Sequence, residues 1–487
     1  MSKLQQGNAK MTNQRWTIVV MLFMATTVNY LDRQVLSLTW ADFIAPEFHW
    51  TNSDYGTITG LFSIFYAVSM LFAGKFVDWM DTKKGFLWAI GVWSFGAVMH
   101  AFCGLLTSGI VAGKWTLSFL GAREAIGTVG DVSLVVSVSV TLFVFARLVL
   151  AIGEAGNFPA AIKATAEYFP KKDRAYATSL FNSGAQIGAL LAPLTIPFIA
   201  KAWGWEMAFI VIGALGFIWM GFWVFIYEKP EKNKRVNAAE LAYINQDDAT
   251  DAIEGRAQVD ADAGKKVSFK KAFKYKQTWS FAVGKFLTDG VWWFLLFWIP
   301  AYLSSVYDLN STQSAPHVFV VYAISMISVF AAGYFPAYFM NKKKMDPYQG
   351  RMRAMLLFAF FPLLILLAQP LGSISVWMPV IIIGIAAAAH QSWSANIFTT
   401  VSDMFPKHAV GTITGIGGMA GGVGSFFINK SSGVLFDHAA NTNMKFLGYE
   451  GIESGYFIIF IFCAIAYLLG WTIMKALVPK YQLITDM

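Results

Sequence analysis

The 487-residue sequence has little with which to build covalent cross-links or a metal centre: two cysteines, six histidines, and only 14% charged residues. Cys103 and Cys463 each fall inside an apolar run, which argues against a disulfide framework or thiolate site and makes both core filler. No HExxH or GxSxG pattern occurs, so zinc-protease and serine-hydrolase chemistry has no footing; the chain is not expected to be an enzyme or to hold a cofactor. A signal-peptide cleavage site is also missing. After the polar, basic start MSKLQQGNAKMTNQRW, the first apolar run carries Asp32 and Arg33 and reads as a retained helix. What is abundant is apolar: 56% of residues are hydrophobic and 16% aromatic, including 18 Trp and 43 Phe. That balance excludes an ordinary soluble protein and describes helices that meet lipid along their length. The net charge of +8 sits in short loops between apolar runs, where membrane topology accounts for it and nucleic-acid binding is not expected.

With roughly 20 residues needed to cross a bilayer core, spans are expected near 16–38, 55–77, 85–106, 140–166, 175–200 and 206–227. A second set is expected near 277–303, 317–340, 352–370, 376–402, 409–434 and 454–476. The predicted class is an all-α polytopic membrane protein of twelve transmembrane helices in two six-helix bundles, residues 1–227 and 277–487. Lys-rich and Arg-rich loops (DWMDTKKG, FPKKDR, EKPEKNKRV, NKKKMDPYQGRMR, FPKHAV) all fall on the side of the termini, which places both termini in the cytoplasm by the positive-inside rule. The charged stretch 228–276 cannot bury enough apolar surface to form a domain and is expected to be a cytoplasmic linker. Phe169, Pro170, Lys171 and Gly188 recur at the same offset as Phe405, Pro406, Lys407 and Gly424, which points to internal duplication and a site between the halves at mid-membrane. Residues 107–139 are too long a link between the third and fourth spans, and read as an external insertion with an interfacial helix.

An ionised group at the bilayer centre costs about 2.5–3.5 kcal/mol on insertion scales, so each one needs a partner or a purpose. NYLDR places Asp32 and Arg33 in the first span, with Tyr30 and Asn29 one turn before Arg33. ARLVLAIGEAGNFP sets Arg147 and Glu154 two turns apart on one face of the fourth span. Gly153 and Gly156 allow close helix approach there, and Pro159 predicts a bend. Either the Arg and Glu side chains pair structurally between helices, or they serve an anionic cargo. In the seventh span Lys285 and Asp289 are four residues apart and either neutralise each other or, with Trp292 and Trp293, line a sugar site. The tenth span is unusually polar, with His390, Gln391, Trp393, Asn396 and Thr399; Gln391 and Asn396 carry both donors and acceptors, as a polyhydroxylated ligand requires. Between the second and third spans Asp78 faces Lys83 and Lys84, either as a gating latch or as a solvated loop.

GKFVDWMDTKKG resembles the loop after the second span of the major facilitator superfamily, and NYLDR, RLVLAIGEAGNFPAAIKATAEYFPKKDRAYA, GKFLTDGVWWF and HQSWSANIFTTVSDMFPK, in this order, are similar to the bacterial hexuronate branch of its anion:cation symporters. Asp81 and Thr82 depart from the usual Gly-Arg of the first motif, and Met70 and Phe72 from the Gln and Pro-Gly pattern of the second span. The resemblance implies a proton symporter for a sugar acid such as glucuronate or galacturonate. It implies Arg33 and Arg147 for the substrate carboxylate, Asp32 and Glu154 as proton carriers, and Tyr30 and Tyr66 as cavity wall. Lys285 stands where relatives for other sugar acids have a neutral amide. Lys285, Trp293, Gln391, Trp393 and Asn396 complete the expected substrate site, and Asp78, Lys83 and Lys84 the gate. The partners implied are a sugar-acid anion, protons and the lipid bilayer of a bacterial inner membrane, with the chain acting as a monomer. An exchanger or a carrier of aldonates or aldarates is the rival within transport; a membrane sensor is the rival outside it.

Overall fold

The computed structural model describes residues 10–246 and 268–484. The spans are α1 (Gln14–Thr39), α2 (Asn52–Met80), α3 (Thr82–Ala112), α4 (Val132–Tyr168), α5 (Lys171–Trp203) and α6 (Trp205–Ile226). The second half comprises α7 (Lys276–Tyr307), α8 (Ser311–Lys343), α9 (Pro347–Gly372), α10 (Trp377–Met404), α11 (Lys407–Thr442) and α12 (Ile452–Leu477). Eleven of these are long and apolar enough to cross a membrane. α1 is the twelfth: its 26 residues are long enough at 1.5 Å per residue, but Asp32, Arg33 and their polar neighbours lower its apolar character. Those residues are buried inside the protein, so the lipid never meets them.

The structure shortens the expected insertion. α3 runs on to Ala112, where Gly113 takes a left-handed conformation (φ 65) and ends it, and α4 already begins at Val132. The true connection is 113–131, not 107–139. It holds one short helix, Phe119–Gly127, capped by Ser118. Arg123 of that helix bridges Glu47 and Glu206 at 2.9 Å each, and the Trp205 indole donates to Glu47 at 2.8 Å. Trp115, Leu117 and Leu120 stay largely exposed, as residues do at a headgroup boundary.

α4 breaks where Pro159 predicts it. The helix stops at Glu154, turns through Ala155 and Gly156, and resumes over Asn157–Tyr168, because Pro159 has no N–H to return to the preceding turn. Gly153 and Gly156 lie against α3: a Cβ on Gly153 falls 2.2 Å from the Trp93 nitrogen. The duplicated corners match in backbone. Pro170 (φ −64, ψ 156) and Pro406 (φ −64, ψ 149) both precede a new helix. Gly188 sets α5 against α1, with a Cβ 2.4 Å from the Thr27 carbonyl oxygen, and Gly424 sets α11 against α7, with a Cβ 2.0 Å from that of Phe286.

The described part of the linker does more than connect. A short helix, Ala238–Ile244, offers the buried Glu240 carboxylate to the first turn of α1, where it accepts from the backbone N–H groups of Gln14 and Arg15 at 3.0 Å each and pairs with the Arg15 guanidinium. An anion at a helix N-terminus satisfies donors that otherwise lack partners. The linker helix and the start of α1 therefore lie at one end of the bundle, called here the terminal end; the other is the distal end.

The halves meet at the distal end. Asp437 of α11 caps α2, accepting from the N–H groups of Asn52 (3.0 Å) and Ser53 (2.7 Å) and from the Asn52 amide (2.9 Å). Lys430 donates to the hydroxyls of Ser53 and Thr57, the backbone N–H of Ser311 donates to Asp42, and Tyr55 donates to the Phe297 carbonyl. Among the described residues, hydrogen bonds that cross between the halves lie only here. Towards the terminal end the contact runs out. The α2–α11 approach still holds at Leu71 and Gly415, but a Cβ on Gly411 meets nothing within 4 Å. The distal part of α8 packs on α5, whereas its terminal part packs on α9 and α10 of its own half. The result is a cleft closed distally and open at the terminal end.

Two outcomes test this packing. Gly188→Val, which forces α5 off α1, is expected to destabilise the protein by about 1–3 kcal/mol, read as a lower unfolding midpoint in detergent. Asp437→Ala is expected to loosen the distal closure, raising the labelling rate of a cysteine placed at Thr57; the native Cys103 and Cys463 are buried and give little background.

Candidate functional site

Four ionisable groups from α1 and α4 converge in the N-terminal half. Arg33 donates to Glu154 Oε2 through Nη2 at 2.7 Å and Nε at 3.0 Å. Both side chains are buried, at 5% and 0% exposure. Asp32 and Arg147 lie beside this pair and are equally buried, yet neither has a hydrogen-bond partner among the described residues; the second Glu154 oxygen and the Asn29 amide also lack one. Two guanidinium groups and two carboxylates in one buried region balance in charge but not in hydrogen bonds. An unpaired buried charge is expensive, so this cluster is a high-energy arrangement.

Aromatic rings wall the cluster off. The Arg33 guanidinium lies 5.0 Å from the ring of Tyr30, 4.7 Å from Tyr66 and 5.2 Å from Trp293. Phe62 sits 6.0 Å from Arg33 and 5.0 Å from Arg147, between the two cations. Tyr66 and Trp293, each near the midpoint of its span, approach to 5.9 Å across the two halves. Trp293 is thus the C-terminal half's contribution to the Arg33 site. Above it, towards the distal end, Trp40 stacks on Tyr55 at 4.0 Å, and Trp298 meets Tyr55 edge-on at 5.0 Å. Trp298 is held by its indole N–H to Asn429 at 2.9 Å. These rings form the floor that closes the cleft.

The C-terminal half holds a second charge pair, Lys285 with Asp289 at 2.7 Å, their side chains 4% and 15% exposed. Behind it His390 hydrogen-bonds the Tyr467 hydroxyl at 2.7 Å and stacks on Trp292 at 5.2 Å. Gln391 is half-buried on α10. Two expected site residues are turned away. Trp393 is fully buried and packs edge-on against Tyr467 at 5.5 Å. Asn396 donates to the carbonyls of Ala332 and Ser392 at 3.0 and 2.9 Å, tying α10 to the terminal part of α8. Both pack within the C-terminal half, while the Trp393 indole N–H and the Asn396 side-chain carbonyl find no hydrogen-bond partner among the described residues.

The expected latch is also paired differently. Asp78 does not face Lys83 or Lys84; it pairs with Lys163 at 2.9 Å. Lys83 pairs with Glu228 and hydrogen-bonds it, Asp81 pairs with Lys229 at 3.2 Å, and Lys84 is exposed. The Tyr227 hydroxyl and Thr82 both donate to Glu167. Slight burial works against the charge on Asp81, but the N–H of Thr82 and the Lys229 ammonium hold its carboxyl below the usual range. All these partners belong to the N-terminal half and the start of the linker, in keeping with a terminal end that is open.

Sequence reasoning missed Phe62, Trp40, Tyr55, Trp298, Asp437 and Lys430. A signal existed for Tyr55, Phe62 and Tyr66, which recur at helical spacing on one face of α2; nothing local marks Asp437, which acts across the halves.

A bundle of spans in two halves, closed at one end around buried charges, is the architecture of a membrane transporter. The chain matches the model of the Major Facilitator Superfamily over residues 22–428 and belongs to that family, whose members are transporters and not enzymes. It is 26% identical to a hexuronate transporter of Escherichia coli (strain K12) over 471 residues, 96% of this chain and 95% of that one. It is also 26% identical to a galacturonate transporter of Dickeya chrysanthemi over 338 residues, 69% of this chain and 86% of that one. Among solved structures, a bacterial homologue of the human lysosomal transporter Spinster, in an inward-facing and unoccupied conformation, matches with a TM-score of 0.68 at 17% identity over 99% of this chain and 100% of the other. A D-xylose-proton symporter matches with a TM-score of 0.63 at 16% identity, over 96% and 99%.

The orientation of Trp393 yields an expected outcome: Trp393→Phe, which keeps a ring against Tyr467, leaves cargo affinity within about twofold, whereas Trp293→Ala weakens it by about tenfold or more, both read from concentration-dependent uptake.

Proposed function

We propose that this chain imports a hexuronate, such as glucuronate or galacturonate, by proton symport across a bacterial inner membrane, with the terminal end in the cytoplasm. The observation that carries this reading is the buried Arg33–Glu154 pair beside the unpartnered Arg147 and Asp32. A carboxylate cargo and a proton are the two things this cluster is short of. The printed names of the curated relatives, hexuronate and galacturonate transporters, support the choice of anion.

The steps follow from this chain's own groups. Protonation of Glu154 removes the acceptor of Arg33 and frees a planar fork for the cargo carboxylate. Asp32, within electrostatic reach of Arg147 and Glu154, takes a second proton or balances Arg147. Tyr30, Tyr66 and Trp293 offer ring faces to the sugar, the two tyrosines offer hydroxyls and Trp293 its indole N–H to the polar edge, and Gln391 and Lys285 reach it from the C-terminal half. With the cargo bound the halves rock about the site; at the cytoplasmic side proton loss from Glu154 restores its bond to Arg33 and expels the anion. The coupling is a difference in affinity between two states. A monoanion moving with one proton is neutral, whereas alone it climbs about 2.3 kcal/mol per 100 mV of inside-negative potential.

Uptake of labelled glucuronate and galacturonate into proteoliposomes tests this, with galactarate and galactonate as competitors. Accumulation driven by an inward proton gradient and abolished by its collapse is expected; no gradient dependence sinks the symport reading, and preference for a competitor moves the cargo. In Glu154→Gln, accumulation against the gradient is expected to disappear while cargo exchange between the two sides continues. Arg33→Lys, which keeps the charge and loses the fork, is expected to raise the half-saturating cargo concentration by about tenfold or more.

A further inference from the structure

The Lys285–Asp289 pair stands apart from the α1–α4 cluster and plays no part in the steps above beyond the reach of Lys285 to the cargo. We propose that Asp289 is an additional proton site, loaded only when the cargo anion draws Lys285 away from it. The proposal rests on the reading that Lys285 meets an anionic cargo.

The argument begins with packing. Asp289 lies one turn from Trp293 on the terminal side, and Lys285 one turn further on; the partly exposed Asp289 and buried Lys285 touch at 2.7 Å. α11 passes so close that a Cβ on Gly421 falls 2.3 Å from Asp289 Oδ2. The glycine leaves room for the carboxylate but offers it no donor side chain. Every titratable or charged neighbour can be named. On α7 itself it is Lys285. From α12 come the Tyr467 phenol, within electrostatic reach of Asp289 and already hydrogen-bonded to His390 of α10, and the buried Cys463 thiol within reach of Tyr467. His390 senses Lys285. α8 brings Tyr322, which belongs beside Tyr55 in the distal seal. Across the cleft, Arg33 of α1 with Tyr30, and Tyr66 of α2, stand on the far side of the Trp293 ring, and Arg33 is committed to Glu154. Among the described residues, Lys285 is therefore the one ionic partner Asp289 has.

A buried ion pair that loses one member leaves the other as an uncompensated charge. Empty, the Lys285–Asp289 pair is neutral. With Lys285 donating to the hydroxyl-rich end of a cargo whose carboxylate lies on Arg33, Asp289 is left as a largely buried carboxylate without its ammonium, and one proton taken up from solution neutralises it. Nothing else is consumed: the carboxylate becomes a carboxylic acid, and the proton leaves again when the cargo departs and the ammonium returns. The terminal opening gives the group its exit path, and its 15% exposure is greater than that of any of the four groups in the N-terminal cluster. Cargo binding and proton binding at this position are thus coupled through one lysine.

The test measures protons moved per cargo molecule, from the membrane potential that just halts uptake into proteoliposomes at a fixed proton gradient. Unmodified protein is expected to move one more proton per cargo than Asp289→Asn, and Lys285→Gln, which leaves Asp289 permanently without a partner, is expected to show the same loss. Cargo exchange at zero gradient reports whether each variant is folded. For a variant that does not exchange, cargo binding in detergent over a pH series is read instead, and the proton uptake that accompanies binding is expected to fall by one. If the unmodified protein shows proton-coupled transport and Asp289→Asn keeps the same number, the role of Asp289 is overturned while the symport reading stands. If the unmodified protein shows no coupling at all, the symport reading falls and this inference with it.

Discussion

The Arg33–Glu154 bond is the constraint to which the rest of the structure answers. It joins the first and fourth spans inside a low-dielectric bundle, where leaving either charge unpaired costs several kcal/mol. Everything around it either satisfies or exploits that cost. Asp32 and Arg147 bring the cluster to neutrality without completing its hydrogen bonds. Tyr30, Phe62, Tyr66 and Trp293 lay ring faces against the guanidinium groups, an attraction that strengthens when water is excluded. The distal aromatic floor of Trp40, Tyr55 and Trp298 keeps water out from one side.

Around this centre the architecture is a scaffold for relative motion. Gly188 and Gly424 let the fifth and eleventh spans lie against the first and seventh at backbone distance, so each half is packed as a unit. The joint between the halves is of a different kind. At the distal end it is made of a helix cap from Asp437, hydroxyl contacts from Lys430 and a single tyrosine bond, polar links that water can replace. Such a joint suits a surface that must part. On the N-terminal side the linker is anchored, since its helix Ala238–Ile244 fastens Glu240 to the first turn of α1.

Much of the candidate site was legible before the fold was seen. Asp32, Arg33, Arg147 and Glu154 announce themselves because ionised residues in apolar runs are costly and rare, and the bend at Ala155 and Gly156 follows from Pro159. The contacts that differ from those expected have a common physical cause. Trp393 and Asn396 sit in a polar stretch of α10, yet a helix presents several faces, and which one meets the cleft depends on how α8 and α12 pack against it. The loop after α2 has the right charges for a latch, but Asp78 found Lys163 and Lys83 found Glu228, because the nearest opposite charge in space belongs to other segments. The third span ran past its expected end until a glycine with positive φ stopped it.

The sequence by itself determined the class of the protein: its apolar composition, span lengths and repeated corner motif require a membrane-embedded, duplicated bundle, since hydropathy and helix-ending signals are local properties of the chain. Its intramembrane charges also marked where chemistry must happen. Only the tertiary structure decided which charges pair, that Trp293 of one half completes the Arg33 site of the other, and that the cleft is sealed distally and open at the terminal end. Most of these are relations between residues far apart in the chain, set by how the spans and the two halves pack and not by any local pattern.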